Sequence, residues 1–347
     1  MGDRKRMKKD LKFDYKKFNR DNLIRILSKF GDLKKLKLLY VSSYKPDYTR
    51  TETLINLFKE LKIKYKTIIT GNYPFIIKYL ILIIRFLRSE NNFDLIFVGF
   101  RGHEILPFIK VFTKQPIIFD MFISIYDTLC YDRKLINPNS IIAYFLKIYD
   151  KFLIKISDVC LVDTKTHKRY FEKEFKINNI NYLYVDANTD IFKKLKIKKN
   201  RKEKIILWYG NALPLQGVDI ILKSAKILEK NNIKFKLIGP IRKKYKRLIK
   251  ELNLNNVIFE DFVHYKKLPI IIANSDICLG GHFSGEIEKA KRVISGKTFQ
   301  FLACEKPVIL GDNPANRELF RESKRIKFVK MGEPNILAKT IMELINE

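Results

Sequence analysis

The stretch CLGGHFSGEIEKAKRVISGKTFQFLACEKPVILGDNPANREL, Cys278 to Leu319, decides the fold. Ile277, Cys278 and Leu279 end an apolar strand, and Gly280 and Gly281 turn it into a polar, basic loop. Ser295 or Gly296 then starts a helix over Lys297–Cys304 that presents Phe299, Phe301, Leu302 and Ala303. A short buried strand follows at Pro307–Gly311, and a second helix begins at Pro314, since proline suits a first helical turn. Strand, loop, helix, strand and helix are the parts of a βαβ unit. Lys291, Arg292 and Lys297 crowd the start of the first helix, where free backbone N–H groups and the helix dipole also favour an anion. A phosphate or pyrophosphate fits such a spot.

Outward from this stretch, apolar strands alternate with helical segments. A first series runs from the strand Leu36–Val41 to a strand at Tyr182–Val185. It includes the apolar segment Tyr73–Leu87, the strand Pro116–Phe119 and the long helix Ile141–Ile156. Residues 186–204 are polar and lysine-rich, as an interdomain linker is. A second series restarts at Lys204–Trp208 and ends with the helix Ile336–Ile345. Such alternation predicts parallel sheets covered on both faces. The expected division is a basic extension over residues 1–35, one Rossmann-like domain over 36–187 and a linker over 188–203. A second domain over 204–332 and a C-terminal helix over 333–347 complete it.

The segment Lys297–Ile309, and more broadly Lys289–Ile309, resembles the C-terminal signature of family 4 glycosyltransferases of the GT-B fold. It matches in residue type and spacing over two helical turns and a strand. The similarity extends to Phe119-Asp120…Ser124…Asp127-Thr128 with Asp132-Arg133-Lys134, to Asp158…Asp163-Thr164, and to Tyr209-Gly210…Pro214-Leu-Gln-Gly217. Val185–Phe192 is similar to the hinge between the two domains of that fold. The resemblance covers most of residues 36–345. It implies two doubly wound domains facing a central cleft, an acceptor in the first and a nucleotide sugar in the second. It also implies retention of anomeric configuration, with neither metal nor cofactor.

Several residues become site candidates. In the broader family two glutamates eight positions apart bind the sugar and the ribose, and Arg292 and Gln300 stand in their places here. Arg292 and Lys297 are the expected clamps of the departing diphosphate, Arg as a planar fork and Lys as a point charge. Gln300 suits ribose hydroxyls because its amide both donates and accepts, and Thr298 lies with it at the helix start. Gly210 and Asn211 follow the second domain's first strand, where ligands of open α/β sheets bind. The loop Asn211–Gln216 lacks the Arg and Lys that many relatives place there. Asp120 stands where related enzymes carry a His beside the reacting sugar, so it is expected either to take the acceptor's proton or to cap a loop. Ser124, Asp127, Arg133 and His103 are the acceptor-side candidates.

Composition sets the remaining bounds. The 347 residues are 46% hydrophobic, with 26 Phe, which suits two packed α/β domains. The four cysteines and four histidines have no metal-site or redox spacing, so no metal centre is expected. Met1–Lys17 is highly charged without an apolar core, and a cytoplasmic protein is the expectation. The net charge of +32 fits either general lysine bias or an anionic membrane surface. No helix-turn-helix, zinc-finger or RNA-binding aromatic motif points to a specific nucleic acid. The expected activity is transfer of a sugar from a nucleotide sugar, UDP or GDP type, to a glycan or lipid-linked acceptor. A sugar-nucleotide epimerase and an inactive protein that binds anionic polymer or membrane are the alternatives.

Overall fold

The structure is a computed structural model that describes residues 10–89, 92–198 and 201–347. Residues 1–9 of the basic leader, and Lys199 and Asn200 within the expected linker, lie outside the described residues. The chain forms two compact units, one of residues 14–186 and the other of residues 187–347 together with the described residues before Asp14. That partition moves two expected boundaries. The N-terminal helix α1 (Tyr15–Leu27) belongs to the first unit, because Leu23, Ile26 and Leu27 are fully buried in its core. Asn19 also fixes the helix to the sheet by bonding both the N–H and the carbonyl of Tyr184.

The first unit holds a six-stranded sheet in the order β2-β1-β3-β4-β5-β6, every pair parallel. Its strands are β1 (Lys37–Ser42), β2 (Lys64–Ile69), β3 (Leu95–Val98), β4 (Ile117–Asp120), β5 (Val159–Val162) and β6 (Ile180–Tyr182). The three central strands β3, β4 and β5 are buried at every residue, as a strand covered on both faces must be. Helices α1 and α2 (Thr49–Glu60) pack on one face. Helices α3 (Phe75–Leu87), α4 (Leu106–Phe112), α5 (Ile141–Ile156) and α6 (Lys165–Phe175) pack on the other.

The second unit repeats the plan, with order β12-β11-β10-β7-β8-β9 and again all parallel. Strands β7 (Lys204–Tyr209), β8 (Ile233–Ile238), β9 (Val257–Glu260) and β10 (Ile277–Leu279) run outward and back. The helices between them are α7 (Val218–Ile227), α8 (Ile241–Lys244), α9 (Lys246–Leu252) and α10 (Leu268–Asn274). Beyond β10 come α11 (Gly296–Ala303), β11 (Val308–Gly311), α12 (Pro314–Leu319), β12 (Ile326–Val329) and α13 (Pro334–Asn346). The deciding stretch thus folds as the βαβ unit its residues announce, and Pro314 does open a helix. Helix α13 packs Leu337, Ala338 and Ile341 into this unit's own core beside α7, so it is an integral element and no separate appendage. The strand expected at Tyr182–Val185 is displaced to Ile180–Tyr182, since hydrogen bonding beside β5 ends at Leu183. Among the described residues, no helix is long and apolar enough to cross a membrane.

Candidate functional site in the second unit

Strand β7 delivers Trp208, Tyr209 and Gly210 to its carboxyl end. Trp208 is fully buried, and Gly210 continues the ladder by donating its N–H to the Ile238 carbonyl. Gly210 takes φ +156°, and a Cβ there would meet Gln216 Nε2 at 3.1 Å and the indole ring at 3.3 Å. Glycine is the residue that permits both the backbone angle and the close approach. Asn211 is exposed, and its carbonyl accepts from Lys244 Nζ at 2.7 Å. The loop without a cation of its own therefore receives one from α8, a partner 33 residues away that local spacing does not reveal.

Helix α11 brings the second set. Its first N–H groups lack intrahelical partners by geometry, and the Ser295 side chain makes no capping bond. Lys297, one residue into the helix, is 6% exposed and lies with its ammonium 4.5 Å from the Trp208 ring centroid. Its Nζ is buried without a hydrogen-bond partner. Burial alone pulls its pKa down from 10.5 to about 7. A Cβ on Gly281 would lie 3.9 Å from that ammonium nitrogen and 4.0 Å from the Gln216 carbonyl oxygen. The Gly-rich turn after β10, the loop after β7 and the start of α11 therefore meet around one lysine.

The other donor-side candidates sit close in sequence to this lysine. Thr298 is fully buried, with Oγ1 donating to the Gly280 carbonyl at 3.5 Å. Gln300 is 4% exposed and accepts from the Tyr209 hydroxyl, which ties α11 to β7. Arg292 is half-buried at the end of the 3₁₀ turn Glu288–Lys291, four residues before α11. Two contributors escaped the sequence reading. His282 is 5% exposed with Nδ1 unpartnered, and burial followed by the charge of Lys297 holds its pKa down at about 3. It is therefore a neutral imidazole beside the cation. Trp208, the only tryptophan of the chain, is the face on which that cation rests. His282 follows Gly281 in the turn after β10, and Trp208 stands in β7 two residues before Gly210; these glycines were the one signal that pointed near them.

In the first unit the acceptor-side candidates do different work. Asp120 is fully buried and grips Arg50, also fully buried, through Nε at 3.0 Å and Nη2 at 2.7 Å. Arg50 further bonds the carbonyls of Leu183 and Val162. Burial raises the Asp120 pKa and the arginine opposes that rise. Asp120 thus joins β4 to α2 and is closed to an acceptor hydroxyl, a correction to the proton-acceptor expectation. Ser124 caps the turn Ile125–Asp127, accepting from the Asp127 N–H at 2.9 Å while donating to Asp150 at 2.5 Å. Asp127 is buried and accepts from the Tyr170 hydroxyl at 3.3 Å. His103 is 2% exposed and its Nε2 lies 2.9 Å from the Ile123 carbonyl. Arg133 alone of this group is exposed, 3.8 Å from Asp132. These residues order the loop after β4; only Arg133 presents its side chain to solvent.

Residues 189–347 match the family described as Glycosyl transferases group 1. No curated protein sequence matches the chain. Among solved structures it is similar to the Anabaena protein Alr3699/HepE in complex with UDP, at 14% identity and TM-score 0.63, covering 90% of each chain. Sucrose-phosphate synthase from Thermosynechococcus elongatus is similar at 13% identity and TM-score 0.66, again over 90% of each chain. A glycosyltransferase from Rickettsia africae aligns at 15% identity and TM-score 0.59, over 90% of this chain and 88% of that one. Residues 189–347 thus match a group 1 glycosyl transferase domain, and the chain has the two-unit GT-B fold.

Proposed function

We propose that the second unit binds a nucleotide sugar by its diphosphate at the start of α11, and that the sugar passes to a glycan or lipid-linked acceptor with retention. One observation carries this: Lys297 is a buried ammonium with no hydrogen-bond partner, at the N-terminus of a helix. A buried charge is costly unless paired, so an arriving phosphate oxygen would gain more there than at a solvated lysine. As the bond from sugar to diphosphate breaks, charge grows on the departing oxygen. Lys297, the α11 N–H groups and Arg292 would stabilise that charge without reorganising. This supply of positive charge supports a transfer that needs neither a divalent metal nor a cofactor. Gly210, Asn211 and Gln300 would line the nucleoside side, with the fully buried Thr298 bracing the Gly280 turn behind them.

Asp120 is locked to Arg50, so the acceptor's proton needs another base. The departing diphosphate oxygen is the group at hand. When the acceptor oxygen bonds to the anomeric carbon, its proton would pass to that oxygen, leaving charge and atoms balanced. The structures of HepE with UDP and with UDP-glucose make uridine donors the first to try. A thermal-shift panel of UDP-, GDP- and TDP-sugars, followed by product analysis with the donor that binds, is the test. Ligands of the folded state raise the melting temperature. If no donor raises it, the nucleotide-sugar assignment fails.

A further inference from the structure

Three buried polar atoms gather at the start of α11 without a hydrogen-bond partner, and they differ in kind. Lys297 Nζ and Trp208 Nε1 are donors, whereas His282 Nδ1 is an acceptor. None of the three residues is more than 6% exposed. Lys297 rests 4.5 Å from the centre of the Trp208 ring, and its charge acts on the His282 ring. His282 follows Gly281, where a Cβ would lie 3.9 Å from the same ammonium nitrogen. The chain on either side is held in place. The Phe283 N–H donates to the Gln216 carbonyl at 3.3 Å, and the Gly332 N–H donates to the Phe283 carbonyl at 2.7 Å.

The acceptor character of Nδ1 follows from its ring. A bond between His282 and the Val293 backbone favours a proton on the imidazole, so it is the Val293 carbonyl that receives it. Because Nδ1 has no partner, that bond comes from Nε2. Burial and the neighbouring ammonium keep the ring neutral, so Nδ1 retains its lone pair. A phosphate oxygen satisfies an ammonium or an indole N–H. It does not satisfy His282, since it presents another lone pair. A ligand that pairs all three atoms must bring an anionic oxygen and a hydroxyl close together. We infer that His282 determines donor specificity: its Nδ1 accepts a hydroxyl that stands beside a phosphate of the donor, and the site takes phosphate esters in which that hydroxyl is free. This rests on the nucleotide-sugar reading of Lys297. Two hydroxyls of a nucleotide sugar have this chemistry, the 2-hydroxyl of the transferred sugar and the 3′-hydroxyl of the ribose.

The test is titration calorimetry at pH 7 with UDP-glucose, UDP-2-deoxyglucose and the 3′-deoxyuridine form of UDP-glucose. A donor without the hydroxyl leaves a buried acceptor unpaired, so the parent should prefer UDP-glucose to one analogue by about tenfold. The analogue that loses affinity identifies which hydroxyl is read. His282→Phe fills the space without a lone pair and should bind UDP-glucose and that analogue equally. The preference is a ratio within one protein, so any partly unfolded fraction cancels from it. Should GDP bind and UDP not, GDP-mannose and its two deoxy analogues take the same places. Binding of UDP or GDP to Lys297→Ala keeps the two readings apart. If the parent binds neither nucleotide, or if Lys297→Ala binds as well as the parent, the diphosphate reading falls and this inference falls with it. If Lys297→Ala binds more weakly, yet the parent prefers UDP-glucose to neither analogue or His282→Phe keeps the parent's preference, this inference alone is overturned.

Discussion

The two units place buried charge near the carboxyl ends of their strands and treat it in opposite ways. At β4, Asp120 and Arg50 are both fully buried and satisfy one another, with two backbone carbonyls completing the arginine's set. At the start of α11, Lys297 is buried to nearly the same degree, but its ammonium meets only an aromatic face. A paired charge in a core is finished and fixes geometry. An unpaired one is held at a cost that only an incoming anion removes. The sheets are similar, so the difference supports the second unit as the one proposed to receive the donor's phosphates.

The comparison breaks most readily at the pair. Arg50→Ala would strand the Asp120 carboxylate and is expected to cost about 3–5 kcal/mol of stability, read by urea denaturation. Arg50→Met/Asp120→Leu, which removes both charges, should recover most of that loss. If the single variant is as stable as the parent, the pair is not the anchor of β4 and α2.

At the other pole, Lys297→Ala should cut turnover on the order of a hundredfold, as removal of one preorganised donor does. Initial rates at saturating acceptor measure it. A variant as active as the parent would move the diphosphate elsewhere.

The smallest expected effect is the pH dependence of donor binding. With its pKa at about 7 in the empty site, Lys297 is protonated below neutrality and loses its charge as pH rises. A bound diphosphate restores the proton by raising that pKa. Affinity should therefore fall above pH 7, by at most about tenfold per pH unit, and vary little below it on this account. Lys297→Arg stays charged and should bind with a flatter profile. Titration calorimetry at several pH values reads both slopes.

Legibility followed the range of the interactions. Alternation of apolar strands and helices, the Gly280-Gly281 turn and Pro314 are local signals, and they delivered both sheets and the βαβ unit around Lys297. Lys297 itself was readable because helix start and cation are adjacent in the chain. Its environment was not, because Trp208 approaches it from a strand 89 positions earlier. The partner of Asp120 was hidden for the same reason. Nothing near it in sequence announces Arg50, which reaches it across 70 positions from α2. Motif spacing shows that a carboxylate ends a strand, and only packing shows whether it faces water or a guanidinium.

The central claim is that Lys297 is kept buried and unpaired for an anionic ligand, and thermal denaturation of Lys297→Met with and without the donor nucleotide sugar tests it most directly. Between about pH 7 and 10.5 the unfolded chain holds the proton that the folded site sheds, so this lysine opposes folding at pH 7 and less so as pH rises. Methionine of similar length lifts that opposition. The expected result is a variant that melts above the parent without ligand and gains nothing from the donor, while the parent gains. A variant that melts below the parent and still shifts by the same amount on adding donor would contradict it.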